Sequence, residues 1–288
     1  MPAQPADRPI HMEIGVLFPR CAMSRSVVWS SFLLLLFALT PMRLYAACLG
    51  AISQRPQQIQ PASFLAVAAP AGSARITFIG HATFLIESPE GVVAATDYND
   101  YIQPAIKPDI VTMNHAHSTH FTDAPDPTIP YILHGWPYGG KPARHNIQFK
   151  DMRVRNVPTN IRNFAGGTEY DGNSIFIFDV AGLCIAHLGH LHHKLTPGHI
   201  ADIGRIDVLF VPVDGGYTLN ISEMREVVAQ LQAPLVIPMH YFDPSTLERF
   251  LDRLRDTYEI RLNDSATTIV SRATLPRTPT ALVLPGPH

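Results

Sequence analysis

The stretch Asp109-Ile-Val-Thr-Met113 is a short apolar run that reads as a buried strand. Just beyond Asn114 it delivers His115-Ala116-His117-Ser118-Thr119-His120. Histidines packed this closely at a strand end have the layout of a metal-binding loop. Side chains two apart in extended backbone point the same way, so His115 and His117 can grip one ion together. His120 lies one turn further on, within reach of the same ion or of a neighbour. A single histidine usually signifies a satisfied core or surface group; a cluster of three reverses that expectation.

Working outward, the same placement recurs. Arg75–Ile79 and Thr83–Glu87 alternate as strands around Gly80-His81, and Val92–Thr96 gives a third strand ending at Asp97. Further strands are expected at Met152–Val157, Ser174–Asp179, Leu183–Ala186, Val208–Val213 and Leu235–Met239. His187 and His240 directly follow two of these, and Asp214 closes a third. Polar residues at strand ends converge on one rim of a sheet, where sites tend to be built. Helices are expected over 197–204, over 222–231 with Ser222 as its cap, and from Pro244 to about Tyr258. The prolines at 125, 127, 130, 137 and 142 exclude a long helix between 121 and 146.

Composition narrows the class. Hydrophobic residues are 46% and charged residues 16% of the 288, enough apolar material for a large core, and the net charge is −2. No dense run of Lys and Arg lies outside the amino terminus, which argues against a nucleic-acid partner; a small-molecule substrate is the expected partner. Cys21, Cys48 and Cys184 share no zinc-finger or redox spacing, and Cys184 reads as a buried lone thiol rather than part of a disulfide framework. Residues 1–47 read as a lead plus secretory signal: Arg25, an apolar stretch from Val27 to Leu39, then Pro41 and Ala46-Ala47. The apolar stretch falls short of the ~20 residues of a membrane span. The expectation is export to the periplasm or beyond. A retained signal, or a lipid at Cys48, is the membrane-anchored alternative. Residues 48–73 read as a flexible spacer, 74–272 as the folded domain, and the proline-rich 273–288 as a loose tail.

Taken together, Phe78-Ile-Gly-His-Ala-Thr-Phe-Leu-Ile86, Ala95-Thr-Asp97, the loop His115–His120, His187-Leu-Gly189, Val208–Thr218 and Pro238-Met-His-Tyr241 resemble the metallo-β-lactamase superfamily. Within it the chain is similar to the small hydrolases that include the ascorbate-6-phosphate lactonase type. The resemblance implies an α+β fold, a four-layer αβ/βα sandwich with metal at one edge. It implies His115, His117 and His187 as ligands of a first ion and His120 and His240 as ligands of a second. It makes Asp97 a supporting residue that orients the loop, and it brings His81 close to the site, to touch substrate or orient a ligand.

Two positions depart from the family pattern. Thr119 stands where the loop has an aspartate, and His190 stands where a bridging aspartate is expected. Imidazole binds zinc through one nitrogen but cannot supply a bridging negative charge. His190 is therefore expected as a terminal ligand, with Thr119 left in a supporting place. Asp214 and Asp123 are the candidates to carry the proton that the missing aspartate would handle. The expected cofactor is zinc, one ion or two, with manganese or iron as alternatives. The expected activity is hydrolysis of an ester, lactone or phosphodiester by a metal-activated water. A binding or sensing module that has lost hydrolysis, and a metal-dependent oxidoreductase, are the alternatives.

Overall fold

A computed structural model describes residues 68–114, 117–163 and 165–286, together with a two-residue strand at 57–58. The strands are, in order, β1 (Gln57–Gln58), β2 (Ser73–Gly80), β3 (Thr83–Glu87), β4 (Val93–Ala95), β5 (Ile110–Met113), β6 (Tyr131–His134), β7 (Asn146–Phe149), β8 (Met152–Arg162), β9 (Thr168–Val180) and β10 (Leu183–His187). Then come α1 (Pro197–Ile203), β11 (Val208–Pro212), α2 (Ile221–Leu231), β12 (Leu235–Met239), α3 (Pro244–Leu254), β13 (Glu259–Leu262), β14 (Thr267–Ser271) and β15 (Thr280–Val283).

Two sheets form, one of nine strands in the order β1-β7-β8-β9-β10-β11-β12-β15-β13 and one of six in the order β14-β2-β3-β4-β5-β6. They face each other across a core that joins Ile76, Phe84 and Ile86 of one to Phe176, Phe178, Phe210 and Ile237 of the other. At its centre Phe84 stacks on Phe210 with ring centroids 4.1 Å apart. The other face of the nine-stranded sheet buries Ile175, Leu209 and Val211 against Met224, Val227 and Val228 of α2 and Phe250 and Leu254 of α3. The outer face of the six-stranded sheet is covered, among the described residues, by irregular chain carrying Ile106, Phe121, Ile129 and Trp136. This is the mixed α and β class that the resemblance implied, two facing sheets with few helices; among the described residues the helices cover the nine-stranded sheet, and irregular chain stands in the place of the fourth layer. No helix among the described residues is long and apolar enough to cross a membrane.

Three expectations need correction. The tail is not loose: β15 pairs in parallel with β12 on one side and β13 on the other, and Ala281, Val283 and Leu284 are buried. The flanking Pro276, Pro279 and Pro285 sit outside the strand, where no ladder hydrogen bond is lost. In α2 the cap is Asn220, whose side chain accepts from Glu223 N–H, so Ser222 lies inside the helix. Cys184 is disulfide-bonded rather than a free thiol. The other two cysteines, like the signal region 1–47 and most of the spacer, lie outside the described residues.

Candidate metal centre

β4 and β5 run parallel, as do β10, β11 and β12, so the carboxyl ends of each set open on a common rim. Asp97 follows β4, His117 and His120 follow β5, His187 ends β10, Asp214 follows β11 and His240 follows β12. His81 sits in the turn between β2 and β3 and is tied to this rim by His240 N–H donating to its carbonyl oxygen at 2.8 Å. His81, Asp97 and His240 hold φ of 51°, 42° and 54°, a left-handed backbone that is strained for side-chain-bearing residues and clusters at functional sites.

The centre is a buried chain of hydrogen bonds anchored by two carboxylates. Ser174 N–H donates to Asn114 Oδ1 at 2.8 Å, which turns Asn114 Nδ2 toward Asp97 Oδ1, also at 2.8 Å. Asp97 Oδ2 lies 2.7 Å from His120 Nδ1, so that nitrogen carries the proton and Nε2 carries a lone pair. On the far side His240 Nδ1 lies 3.0 Å from Asp214 Oδ2, close enough for ionic attraction though not aligned as a hydrogen bond. That carboxylate favours the proton on Nδ1 and leaves a lone pair on His240 Nε2. The two Nε2 atoms then face each other at 3.2 Å.

Two lone pairs at that separation repel unless a cation lies between them. A tetrahedral zinc with bonds of ~2.0–2.1 Å holds neighbouring nitrogens about 3.3 Å apart, so the spacing fits. His81 completes a group with His120 and His240 whose ligand atoms all lie within 4.8 Å of one another. Its Nε2 is buried with no hydrogen-bond partner among the described residues. Burial, then the neighbouring His240, pushes the His81 imidazole down to about 3. Burial and the surrounding imidazoles likewise hold His120 and His190 well below the ordinary histidine range. For His81, His120 and His190 burial thus favours the neutral form that ligation requires.

The predicted residues do not all take their expected parts. His115 lies outside the described residues. His117 is half-buried, its ring edge-on to His190 at 4.6 Å between centroids, and it lines the cavity. His187 is not placed as a ligand: Nε2 donates to Ala82 O at 2.8 Å and Nδ1 accepts from Gly189 N–H at 3.0 Å. Both its nitrogens are used as a strut beneath the β2–β3 turn. Asp214 accepts from Gly216, Tyr217 and Thr218 N–H and from the Thr218 hydroxyl, which leaves it little room to carry a proton. Burial alone would raise its pKa, but His240 and these donors together pull it below the usual carboxylate range. Asp123 is exposed and does not line the cavity. Thr119 does line it.

Several participants escape a motif search. Asn114 orients Asp97, and Asn173 Oδ1 accepts from His190 N–H at 2.8 Å. His192 is buried, and its Nε2 lies 2.6 Å from His190 Nδ1. The His190-x-His192 spacing, the same as His115-x-His117, was the available signal. Arg162 does not face a substrate: its guanidinium holds the carbonyls of Gly216, Tyr217 and Thr218. Arg144 is exposed, and Trp136 packs on Phe121. Over the cluster opens a cavity of about 320 Å³ lined by His81, His117, Thr119, Tyr217, His240 and Phe242.

The fold agrees with comparison to known proteins. The beta-lactamase superfamily domain matches residues 75–240. A Thermotoga maritima structure, described as a candidate Zn-dependent hydrolase of the metallo-beta-lactamase superfamily, is 31% identical, covers 75% of this chain and 100% of its own, and has a TM-score of 0.54. The chain belongs to the metallo-beta-lactamase superfamily. A UPF0173 metal-dependent hydrolase of Methanoculleus marisnigri is 25% identical over 210 residues, covering 64% of this chain and 88% of the relative. One from Carboxydothermus hydrogenoformans is 26% identical over 191 residues, covering 58% and 84%. These relatives bear out the reading of the chain as a hydrolase.

Proposed function

We propose that the protein is a metal-dependent hydrolase that cleaves a carboxylic ester or lactone bearing an apolar group. The observation that carries the metal is the 3.2 Å approach of His120 Nε2 and His240 Nε2, each fixed from behind by a carboxylate. His120, His240 and His81 would hold the ion. Zinc suits three neutral imidazoles; manganese and iron remain the alternatives. Bound there, a divalent ion supplies a Lewis acid and lowers the pKa of water toward about 7.

The choice of substrate rests on the cavity walls. Among the described residues no Lys or Arg lines the cavity, and its mouth is built by Tyr217 and Phe242, 62% and 53% exposed and packed edge to face at 5.7 Å. Such a wall receives an apolar acyl or alcohol group and offers no cation for a phosphodiester. A small-molecule substrate suits a cavity of this size. Asp97 and Asp214 orient imidazoles, and Thr119 offers a hydroxyl at the cavity wall. We also infer export, supported by the 24–46 signal layout and by the disulfide at Cys184, which suits an oxidising compartment.

The test is a panel of aryl esters, aliphatic lactones and phosphodiesters, assayed with zinc-, manganese- and iron-loaded protein beside His240→Ala. Turnover of apolar esters or lactones that vanishes in the variant is expected. Phosphodiester turnover alone overturns the substrate assignment, and turnover of none of these with metal bound favours a binding module.

A further inference from the structure

His190 occupies the position where a carboxylate ligand was expected, and its ring centroid lies 4.8 Å from those of both His120 and His240. Its Nε2 is buried with no hydrogen-bond partner among the described residues. Its other nitrogen is not free to choose its role. The backbone N–H of Arg162 points at His192 Nδ1 over 2.6 Å, and a backbone amide can only donate. His192 Nδ1 therefore holds a lone pair, and in the neutral ring the proton sits on Nε2. That proton faces His190 Nδ1 at 2.6 Å, so His190 Nδ1 is also an acceptor. The proton of a neutral His190 is then on Nε2, inside the cluster.

The reverse arrangement fails on the same contacts. A His190 that offered an Nε2 lone pair to a metal would carry its proton on Nδ1 and donate it to His192 Nε2. His192 would then place its own proton on Nδ1, head-on to the Arg162 amide, or give it up and become an anion. Neither is tolerable in a buried site. Arg162 N–H is held in turn by β8, and the Arg162 side chain clamps the loop carrying Tyr217.

We propose that His190 is not a metal ligand but a fixed N–H donor aimed into the metal site, locked in that tautomer by His192 and the Arg162 amide. A buried donor with no acceptor among the described residues is costly, so it is built to meet an oxygen atom that arrives with water or substrate. This rests on the hydrolase reading for its chemistry: the oxygen is that of a carbonyl acquiring negative charge as it is attacked, or of a carboxylate product. The substitution of a carboxylate by histidine thus exchanges a ligand for a donor, and His192 is a positioning residue.

The test is long-range proton–nitrogen NMR of histidine-labelled protein, metal-free and zinc-loaded, assigned with His190→Gln and His192→Phe. The expected result is the Nε2–H form of His190 in both states, lost or mixed in His192→Phe. His190→Gln, which retains a side-chain N–H donor, should bind zinc within about threefold of the unaltered protein. An Nδ1–H form, a His190 Nε2 signal displaced by the metal, or loss of one metal equivalent in His190→Gln would overturn the proposal. Absence of zinc binding in the unaltered protein would sink the hydrolase reading, while the metal-free spectrum would still decide the tautomer.

Discussion

Replacing Asp97 by asparagine separates metal affinity from fold stability. Asn114 presents its Nδ2 to Asp97 Oδ1 because its own Oδ1 is occupied by Ser174 N–H. An asparagine at 97 must therefore show its oxygen to Asn114 and its amide to His120. His120 Nδ1 becomes an acceptor, its proton moves to Nε2, and that proton bonds His240 Nε2 across the 3.2 Å gap where the ion belongs. Altering a group that orients a metal-bound histidine costs ~10- to 100-fold in affinity, or about 1.4 to 2.8 kcal/mol. Stability of the metal-free protein should move little. Burial raises the Asp97 carboxyl to about 6 from 3.8, with His187, Asn114 and His240 pulling against it, and keeping it ionised above that pH costs about 3 kcal/mol. The amide escapes that cost but loses a charge-assisted hydrogen bond of about 1.5–3 kcal/mol. Competition of Asp97→Asn with a chromophoric chelator for zinc, beside urea unfolding in EDTA at pH 8, measures both. Affinity within threefold of the unaltered protein would refute the reasoning, and so would a metal-free variant that does not fold.

Gly189→Ala should be far costlier than Gly91→Ala. At 189 a Cβ would meet Asn173 Oδ1 at 2.4 Å and Asn114 Nδ2 at 2.5 Å, whereas at 91, with a similar positive φ, nothing lies within 4 Å. Losses of about 2–4 and about 1 kcal/mol respectively are expected by urea unfolding, and equal losses would contradict the packing described. Acid should destabilise the metal-free protein. Burial lowers His81 and His192 to about 3, so the stability of their neutral forms is full above the unfolded value of 6.5 and drains as pH falls toward 3. Each contributes up to about 1.4 kcal/mol per pH unit in that window, against an opposing contribution from Asp97, whose raised pKa favours the fold at low pH. A flat stability between pH 7 and 5 would contradict this. Tyr217→Ala and Phe242→Ala should lower kcat/KM for an apolar ester about tenfold without changing the melting temperature, and should leave a small acetate ester nearly unaffected.

The central strands of both sheets were legible as apolar runs, and so were the residues at their ends, because a short apolar run closed by His or Asp marks a sheet rim; β6, β7, β13 and β14 were not, although β6 buries Tyr131 and Leu133. The failures have local causes. β15 hid among prolines because composition reports the flanks while pairing on both sides decides the strand. His187 looked like a ligand because sequence order gives the strand end but not the direction of the ring, and here Ala82 O and Gly189 N–H take both nitrogens. Asp214 looked like a proton carrier, yet its carboxylate accepts from Gly216, Tyr217 and Thr218 within the next four residues and lies against His240, a turn that only the folded loop reveals. Asn114 and Asn173, neutral and without a motif, set the orientation of charged neighbours, and no periodicity announces that.

The most direct test is anomalous diffraction from crystals of protein purified without chelator, with a fluorescence scan to identify the element. The account predicts a metal peak bonded to Nε2 of both His120 and His240, with His187 still bonded to Ala82 O and Gly189 N–H. A peak on His187 or His190, or none between His120 and His240, would contradict it.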